Sequence, residues 1–444
     1  MVKGMMKGKI LYLFLVGIIF IFIYNPPIYF LPMNAGIIVG MGFFAYYIIK
    51  FALSFLLERK ISLDLPILSI MLTVVIIVFY SLMVGIISGS YDLQVFKSYL
   101  SFLLFYIPGA FGIVHIARRH YEPIDIIKMF IVATVIQSII ILMMLVVPSV
   151  KDFFFSLLKD GDARLEKNLL SGGFRFLGFA FNSTWDLAIV QSMGIMYICL
   201  MIKLDKHEIS LKNSLFFLLL VTSVFLSART GLIGIILGLL ILVFPSSMRE
   251  VPMLKVVKFF SKLIAITIPL FFLIIIILPS EVIDIVENSV VPWAFELFQN
   301  QNAGTMETNS SNELKEMYFI PKFSTVLFGD GYYVSPYDVT RYYMDTDAGY
   351  MRHMLYYGVL GCLIMVTLYL LIFRQIYKSS NVLNKSNSVK FFSILLAFYF
   401  FLSHIKGDLF LGADMPIKSL FFLLALLTVN KNVNERFIEK SSLI

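Results

Sequence analysis

The chain has 444 residues, of which 59% are hydrophobic and only 14% charged, with a mean hydropathy of +0.88. No water-soluble fold of this length has enough polar surface to cover so much apolar side chain, so a soluble globular domain is excluded. The formal net charge of +8 would suggest nucleic acid in a soluble protein, but its placement along the chain assigns it to membrane topology, and no nucleic-acid partner is expected.

Cutting the sequence at its apolar runs predicts an all-α polytopic membrane protein, a single integral membrane domain over 1–444 with about twelve transmembrane helices of the length a ~30 Å hydrocarbon layer demands. The spans run over 10–30, 35–57, 65–87, 97–117, 123–148, 185–203, 213–228, 230–245, 259–279, 348–373, 390–408 and 416–429. Lys3, Lys7 and Lys9 place the N-terminus inside. The cytoplasmic turns then collect Arg59, Lys60, Arg118, Arg119, Lys203, Lys206, Lys212, Arg249, Lys255, Lys258, Lys262, Arg374, Lys378, Lys385 and Lys390, and the tail carries Lys431, Arg436 and Lys440. About 21 of the 36 Lys and Arg therefore face one side, mostly in short loops, as the positive-inside rule requires, and both termini come out cytoplasmic. The basic start has no small-residue cleavage site after its apolar run, only Asn25-Pro26-Pro27, and reads as an uncleaved first helix.

Cys199 and Cys362 both fall inside predicted spans, which argues against a disulfide framework and a cysteine metal site. The five histidines are scattered without ligand spacing, and no phosphate-binding glycine loop or dinucleotide fingerprint occurs, so no metal or cofactor is expected. Two segments break the pattern of short turns: a smaller outward loop, 149–184, and a large one, 280–346. The large loop opens on Glu281, Asp284, Glu287 and Glu296, continues through a polar stretch from Asn300 to Ser311, and ends in tyrosines. Those tyrosines read either as interfacial anchors or as a platform on which sugar rings stack.

Ionisable residues in or beside membrane spans are costly and call for a reason. Asp186 opens the sixth span, Arg229 sits between the seventh and eighth, and Asp347, Arg352 and His353 begin the tenth. His404, Lys406 and Asp408 end the eleventh. All map to the outer side. Arg229 alone reads as a snorkelling side chain, Arg175 as a headgroup contact, and Lys406 with Asp408 as a mutual ion pair. Taken together, several guanidiniums around a water-accessible pocket suit a diphosphate, which Arg binds through bidentate, charge-assisted hydrogen bonds.

Three stretches resemble the bacterial O-antigen polymerase and ligase family, the Wzy-type and WaaL-type enzymes. They are Arg175-Phe-Leu-Gly178-Phe-Ala-Phe-Asn182 before the sixth span, Leu226-Ser-Ala-Arg229-Thr-Gly231 between two apolar helices, and Asp347-Ala348 followed by nine residues and then Gly358-Val-Leu-Gly361. Their order and placement extend the likeness over about residues 170–410. The resemblance implies a C-type glycosyltransferase-like fold in a bacterial inner membrane, with an outward cavity capped by the large periplasmic loop. It implies a glycan donor on undecaprenyl diphosphate, surrounding membrane lipids, and a chain-length regulator and a flippase as partners. It places arginines on the diphosphate: Arg175 and Arg229 at matching positions, with Arg352 or Arg341 beside them. Ligases of the family usually carry His where this chain has Asp347, and Asn, Ser or Gln where it has Ala348. Both departures favour an O-antigen polymerase, which joins lipid-linked repeat units into long polysaccharide, over a ligase that moves the chain to the lipid A core.

Glycosyl transfer from a diphosphate needs cations on the leaving group and a base for the attacking hydroxyl. Asp347 is the expected base, with Asp345 and His353 behind it; single displacement then inverts the anomeric centre. Asp345-Thr346-Asp347 also spells the DxD of metal-dependent glycosyltransferases, without the nucleotide-binding fold that gives those letters meaning. Gly358 and Gly361 read as helix-packing positions. A lipid-linked oligosaccharide flippase is the alternative from another class, but no internal repeat of the kind transporters carry is seen.

Overall fold

The computed structural model describes residues 2–57, 65–163, 166, 175, 177–180, 183–204, 210–244, 257–266, 269, 280–292, 296, 300, 308–338, 340–383 and 387–429. Most of the expected ninth span, Asn182, most of the stretch from Asn300 to Ser311, and Arg59, Lys60, Lys206, Arg249, Lys255, Lys385, Lys431, Arg436 and Lys440 lie outside the described residues. Among the described residues the architecture is all-helical.

In chain order the helices are α1 (Val2–Tyr24), α2 (Ala35–Leu56), α3 (Leu65–Ile87), α4 (Gln94–Arg118), α5 (Pro123–Val146), α6 (Pro148–Ser156), α7 (Thr184–Leu204), α8 (Leu211–Phe225) and α9 (Thr230–Val243). The later part holds the short helices α10 (Ser280–Ile285), α11 (Asn309–Glu316) and α12 (Phe323–Phe328), then α13 (Gly349–Ser379), α14 (Asn387–Lys406) and α15 (Asp414–Thr428). Seven helices are long and apolar enough to cross a membrane: α2, α3, α4, α5, α7, α13 and α14. Gly8–Tyr24, α8 and α9 are apolar but shorter. Most described residues of the expected spans are helical, seven of the helices are long enough to cross a membrane, and the chain is a helical membrane protein.

Hydropathy alone does not say which of these helices touch lipid, but burial does. Helix α2 keeps Tyr46, Phe51, Phe55 and Leu56 exposed, and α3 keeps Phe79, Met83 and Ile87 exposed. Every residue of α15 from Met415 to Thr428 is buried instead, because this helix packs against α1, α4, α7 and α13 at once. The bundle is organised around α15.

Glycines set how closely two of the helices approach. Gly231, Gly234 and Gly238 recur at helical spacing on α9 and face α7; a Cβ at Gly234 would lie 2.4 Å from Ser192 Cβ. The contact is sealed by Ser192 Oγ, which donates to Gly231 O at 2.8 Å. This packing brings the N-terminus of α9, capped by Arg229, beside that of α7, which carries Asp186. Helix α13 bends where Gly358 takes φ +64°, a conformation side chains with a Cβ rarely adopt, and the Leu327 carbonyl fills the space its Cβ would need. Gly361 faces the Tyr357 ring just as closely, so both glycines of the pair have a steric role.

Gly234→Leu is expected to force α7 and α9 apart and lower stability by about 1–3 kcal/mol, the usual cost of overpacking. Thermal unfolding of the purified protein in detergent measures it.

Candidate functional site

Helix direction decides what meets at each end of the bundle. Helices α7, α9 and α13 begin at one end, where α14 finishes, while Lys203, Lys378 and Lys390 lie at their far ends. At the first end a cavity of about 640 Å³ opens, lined by Arg175, Asp186, Arg229, Glu296, Glu313, Tyr342, Asp347, Arg352, Lys406 and Asp408, with Ser183, Thr184 and Trp185. The N-termini of α7, α9 and α13 lie at the cavity, and the positive ends of their helix dipoles add to the four cations. Five carboxylates, from Asp186, Glu296, Glu313, Asp347 and Asp408, stand against them.

Arg352 is held with the least freedom. It is only 5% exposed, and its guanidinium is sandwiched between the rings of Tyr333 and Tyr342, 3.8 and 3.6 Å from their centroids. Its Nη1 is 3.9 Å from Asp347 Oδ1, while Nε and Nη2 are buried with no hydrogen-bond partner. A guanidinium held this rigidly at a cavity wall, beside one half-exposed carboxylate, is a positioned cation for an anion. Arg229 holds Glu296 Oε2 at 2.5 Å, both partners mostly buried. Arg175 feels that neighbouring positive charge: burial, and then Arg229, lower its pKa.

Behind Arg352 lies a hydrogen-bonded hub. Asp408 accepts from Tyr333 OH at 2.5 Å, His353 Nε2 at 2.8 Å and Leu411 N–H at 3.0 Å. Burial would raise its pKa, but His353, His404 and Arg352 hold it well below the usual carboxylate range. His353 is fully buried, and its Nδ1 accepts from Tyr357 OH. His404 accepts the Leu409 N–H at Nδ1, and its Nε2 has no partner.

Asp347 differs from Asp408. Its side chain is half exposed to the cavity, yet crowding by protein removes enough water to raise its pKa to about 6, against the opposing pull of Arg352.

The structure therefore brings together seven of the residues singled out in the sequence: Arg175, Asp186, Arg229, Asp347, Arg352, Lys406 and Asp408. Four expectations are corrected. His353 cannot accept a proton from a substrate hydroxyl, because both ring nitrogens are engaged inside the protein. Asp345 and Arg341 are exposed, pair with each other at 3.9 Å and do not line the cavity, so neither reaches a ligand there. Lys406 and Asp408 are not an ion pair; Asp408 is taken by His353 and Tyr333, and Lys406 has no salt-bridge partner among the described residues. The histidines are not all scattered: His353 and His404 converge with Asp408, with ligand-type atoms within 4.8 Å of one another. That spacing would admit a cation, but the hydrogen bonds already made leave only His404 Nε2 uncommitted, so the cluster fits a hydrogen-bonded hub better than a metal centre.

Compared with protein-family models, curated proteins and solved structures, the chain matches none.

Sequence reasoning missed the aromatic clamp of Tyr333 and Tyr342, whose roles only tertiary contact defines. It also missed a second polar cluster, at the α1, α4 and α15 contact. There Asp414 accepts from Asn25 Nδ2 at 3.2 Å and from Tyr106 OH, and Lys418 Nζ lies 3.9 Å from it and 4.7 Å from the Tyr106 ring centre. The signal was present, since Lys418 is an ionisable residue inside the expected span 416–429.

Two measurements probe this arrangement. Tyr333→Phe keeps the ring under Arg352 but removes a donor to buried Asp408, and is expected to lower stability by about 1–3 kcal/mol in thermal unfolding. Glu296→Gln removes the fixed counter-charge of Arg229, and is expected to tighten binding of inorganic diphosphate about fivefold by calorimetry, since a mostly buried pair of this kind is worth about 1 kcal/mol.

Proposed function

We propose that the chain is an O-antigen polymerase of the Wzy type, a glycosyltransferase that joins undecaprenyl-diphosphate-linked oligosaccharide units at the periplasmic face of a bacterial inner membrane, with both termini cytoplasmic. The observation that carries this reading is the cavity itself: four cations and a carboxylate of raised pKa at one end of an apolar bundle. The end rich in cationic helix termini lies opposite, which suits an outward-facing site.

In this reading Arg352, Arg229, Arg175 and Lys406 hold the diphosphate of the donor lipid, with Arg352 held in place by its ring clamp. The hydroxyl oxygen of the acceptor sugar attacks the anomeric carbon of the donor glycan. The bond from that carbon to the phosphate oxygen breaks, and the electron pair leaves on the lipid diphosphate, where the cations stabilise it. Asp347 takes the hydroxyl proton. A carboxylate with a pKa of about 6 accepts a proton better than an ordinary Asp and is still ionised at neutral pH. One displacement inverts the anomeric centre. The tyrosines at the cavity rim offer faces for the sugar rings.

The test is the surface-glycan profile of a deletion strain, complemented with wild type or variants. A lipid A core bearing one repeat unit and no ladder, restored by wild type and not by Arg229→Ala, is the expected result. Long chains accumulating on the lipid carrier with none on the core would make it a ligase, and repeat units trapped inside would make it a transporter.

The pH dependence follows from Asp347. Because the base must be ionised, kcat/KM of the reconstituted enzyme should rise with pH through about 6 and level off above it. Asp347→Asn should lose activity at every pH while expressing normally; full activity in that variant would remove Asp347 as the base.

A further inference from the structure

Between Glu313 at the cavity and the turn before Tyr333, the chain is tied down at both ends. Tyr318 OH donates to Ile405 O at 2.7 Å at the end of α14, and Thr346 Oγ1 donates to the carbonyl of Met317 at 3.1 Å. After α12, Asp330 N–H donates to Leu355 O at 2.7 Å, Gly331 N–H to Tyr356 O at 3.0 Å, and Ser90 Oγ to Gly331 O at 2.6 Å. Gly329 and Gly358 permit this close approach, since a Cβ at either would strike backbone of the facing segment.

A segment anchored this firmly would be expected to turn its large apolar side chains inward. It does the reverse: Ile320, Phe323 and Phe328 are 97%, 77% and 70% exposed, while the small polar Thr325 is buried. Three large apolar groups fixed outward on one ordered strip need a covering.

The anchoring contacts give the depth at which they sit. Leu355 and Tyr356 lie six and seven residues into α13, which at 1.5 Å per residue is about 9–10 Å from its cavity end. On the α3 side Tyr356 OH donates to Ser81 O and to Asp92 O, and Gly331 O accepts from Ser90, three residues past the end of that helix at Ile87, so this flank of the anchor lies at the outer end of α3. Helix α13, on which the strip rests, also packs against α3, whose Phe79, Met83 and Ile87 are exposed and apolar as the lipid-facing side of a membrane helix would be. An apolar face buried about 5–10 Å into the boundary between headgroups and acyl chains is the ordinary depth of an interfacial helix. Lys322, exposed beside Phe323, supplies the cation such segments hold against anionic headgroups.

We propose that residues 318–328, within what the sequence reads as a water-exposed loop, form an interfacial collar embedded in the lipid leaflet at the cavity end, with Ile320, Phe323 and Phe328 among the upper acyl chains. The partner is the phospholipid surface itself.

Hydroxyl-radical footprinting of the wild-type protein in vesicles of phosphatidylethanolamine and phosphatidylglycerol tests this without any substitution. Tyr337, 98% exposed on the same loop, is the internal reference. After correction for intrinsic reactivity, Phe323 and Phe328 should be oxidised at least about fivefold more slowly than Tyr337, since lipid and not water covers them. Oxidation at a rate matching Tyr337 would overturn the proposal. So would protection that disappears when the protein is diluted in lipid, because a second copy of the chain would then be the cover.

Discussion

Charge in an apolar bundle persists only where each ionised group meets a partner, and Asp408 is the point at which this protein meets that constraint. Its buried carboxylate takes donors from a tyrosine, a histidine and a backbone amide. Tyr333, fixed by this bond, becomes one face of the clamp on Arg352. Arg352 in turn stands at the cavity wall beside Asp347. The chain of dependence runs from a buried anion, through an oriented ring, to an oriented cation. Rigid positioning of this sort lets a guanidinium present its fork without reorganisation when an anion arrives.

The two carboxylates nearest Arg352 have been driven in opposite directions by their surroundings. Asp408 is enclosed by donors and positive charge and stays ionised. Asp347 is short of water and has a single cation 3.9 Å away, so its pKa rises to about 6. Pairs of titratable groups pushed apart in this way mark sites where one group holds structure and the other exchanges protons. The remaining acids offset the remaining cations, most directly Glu296 against Arg229. An anionic ligand at Arg229 therefore competes with Glu296.

Helix α15 shows the same rule elsewhere in the fold. It is buried along its whole length, yet begins with Asp414 and carries Lys418 one turn later. Tyr106 and Asn25 satisfy the carboxylate from α4 and from the end of α1, which ties the central helix to both neighbours. Apolar packing alone slides between similar registers in lipid, whereas a buried polar cluster of this kind has one arrangement that satisfies it.

The sequence by itself determined the class of the protein, because hydropathy sums over whole segments and needs no contacts: apolar runs about twenty residues long have only one solvent that suits them. It also placed the costly charges at one end, since helix direction alternates through the spans, and seven of the residues it singled out do line one cavity. What it could not decide was which nearby residues face inward. Arg341 and Asp345 lie within a few residues of Asp347 yet turn to solvent and to each other, and His353, next to Arg352, points into the protein rather than at the cavity. Lys406 and Asp408 are two residues apart, yet Asp408 pairs with His353 and Tyr333 and not with Lys406. Side-chain direction in an irregular segment, and the choice among several hydrogen-bond partners, are fixed by the chain brought alongside from far away. Tyr333 reaching Asp408, and Asn25 reaching Asp414, are contacts of that kind. The covering of Ile320, Phe323 and Phe328 belongs with them: a polar-looking loop becomes a membrane element only because backbone of α13 and the Ser90 side chain beyond α3 hold it at that depth.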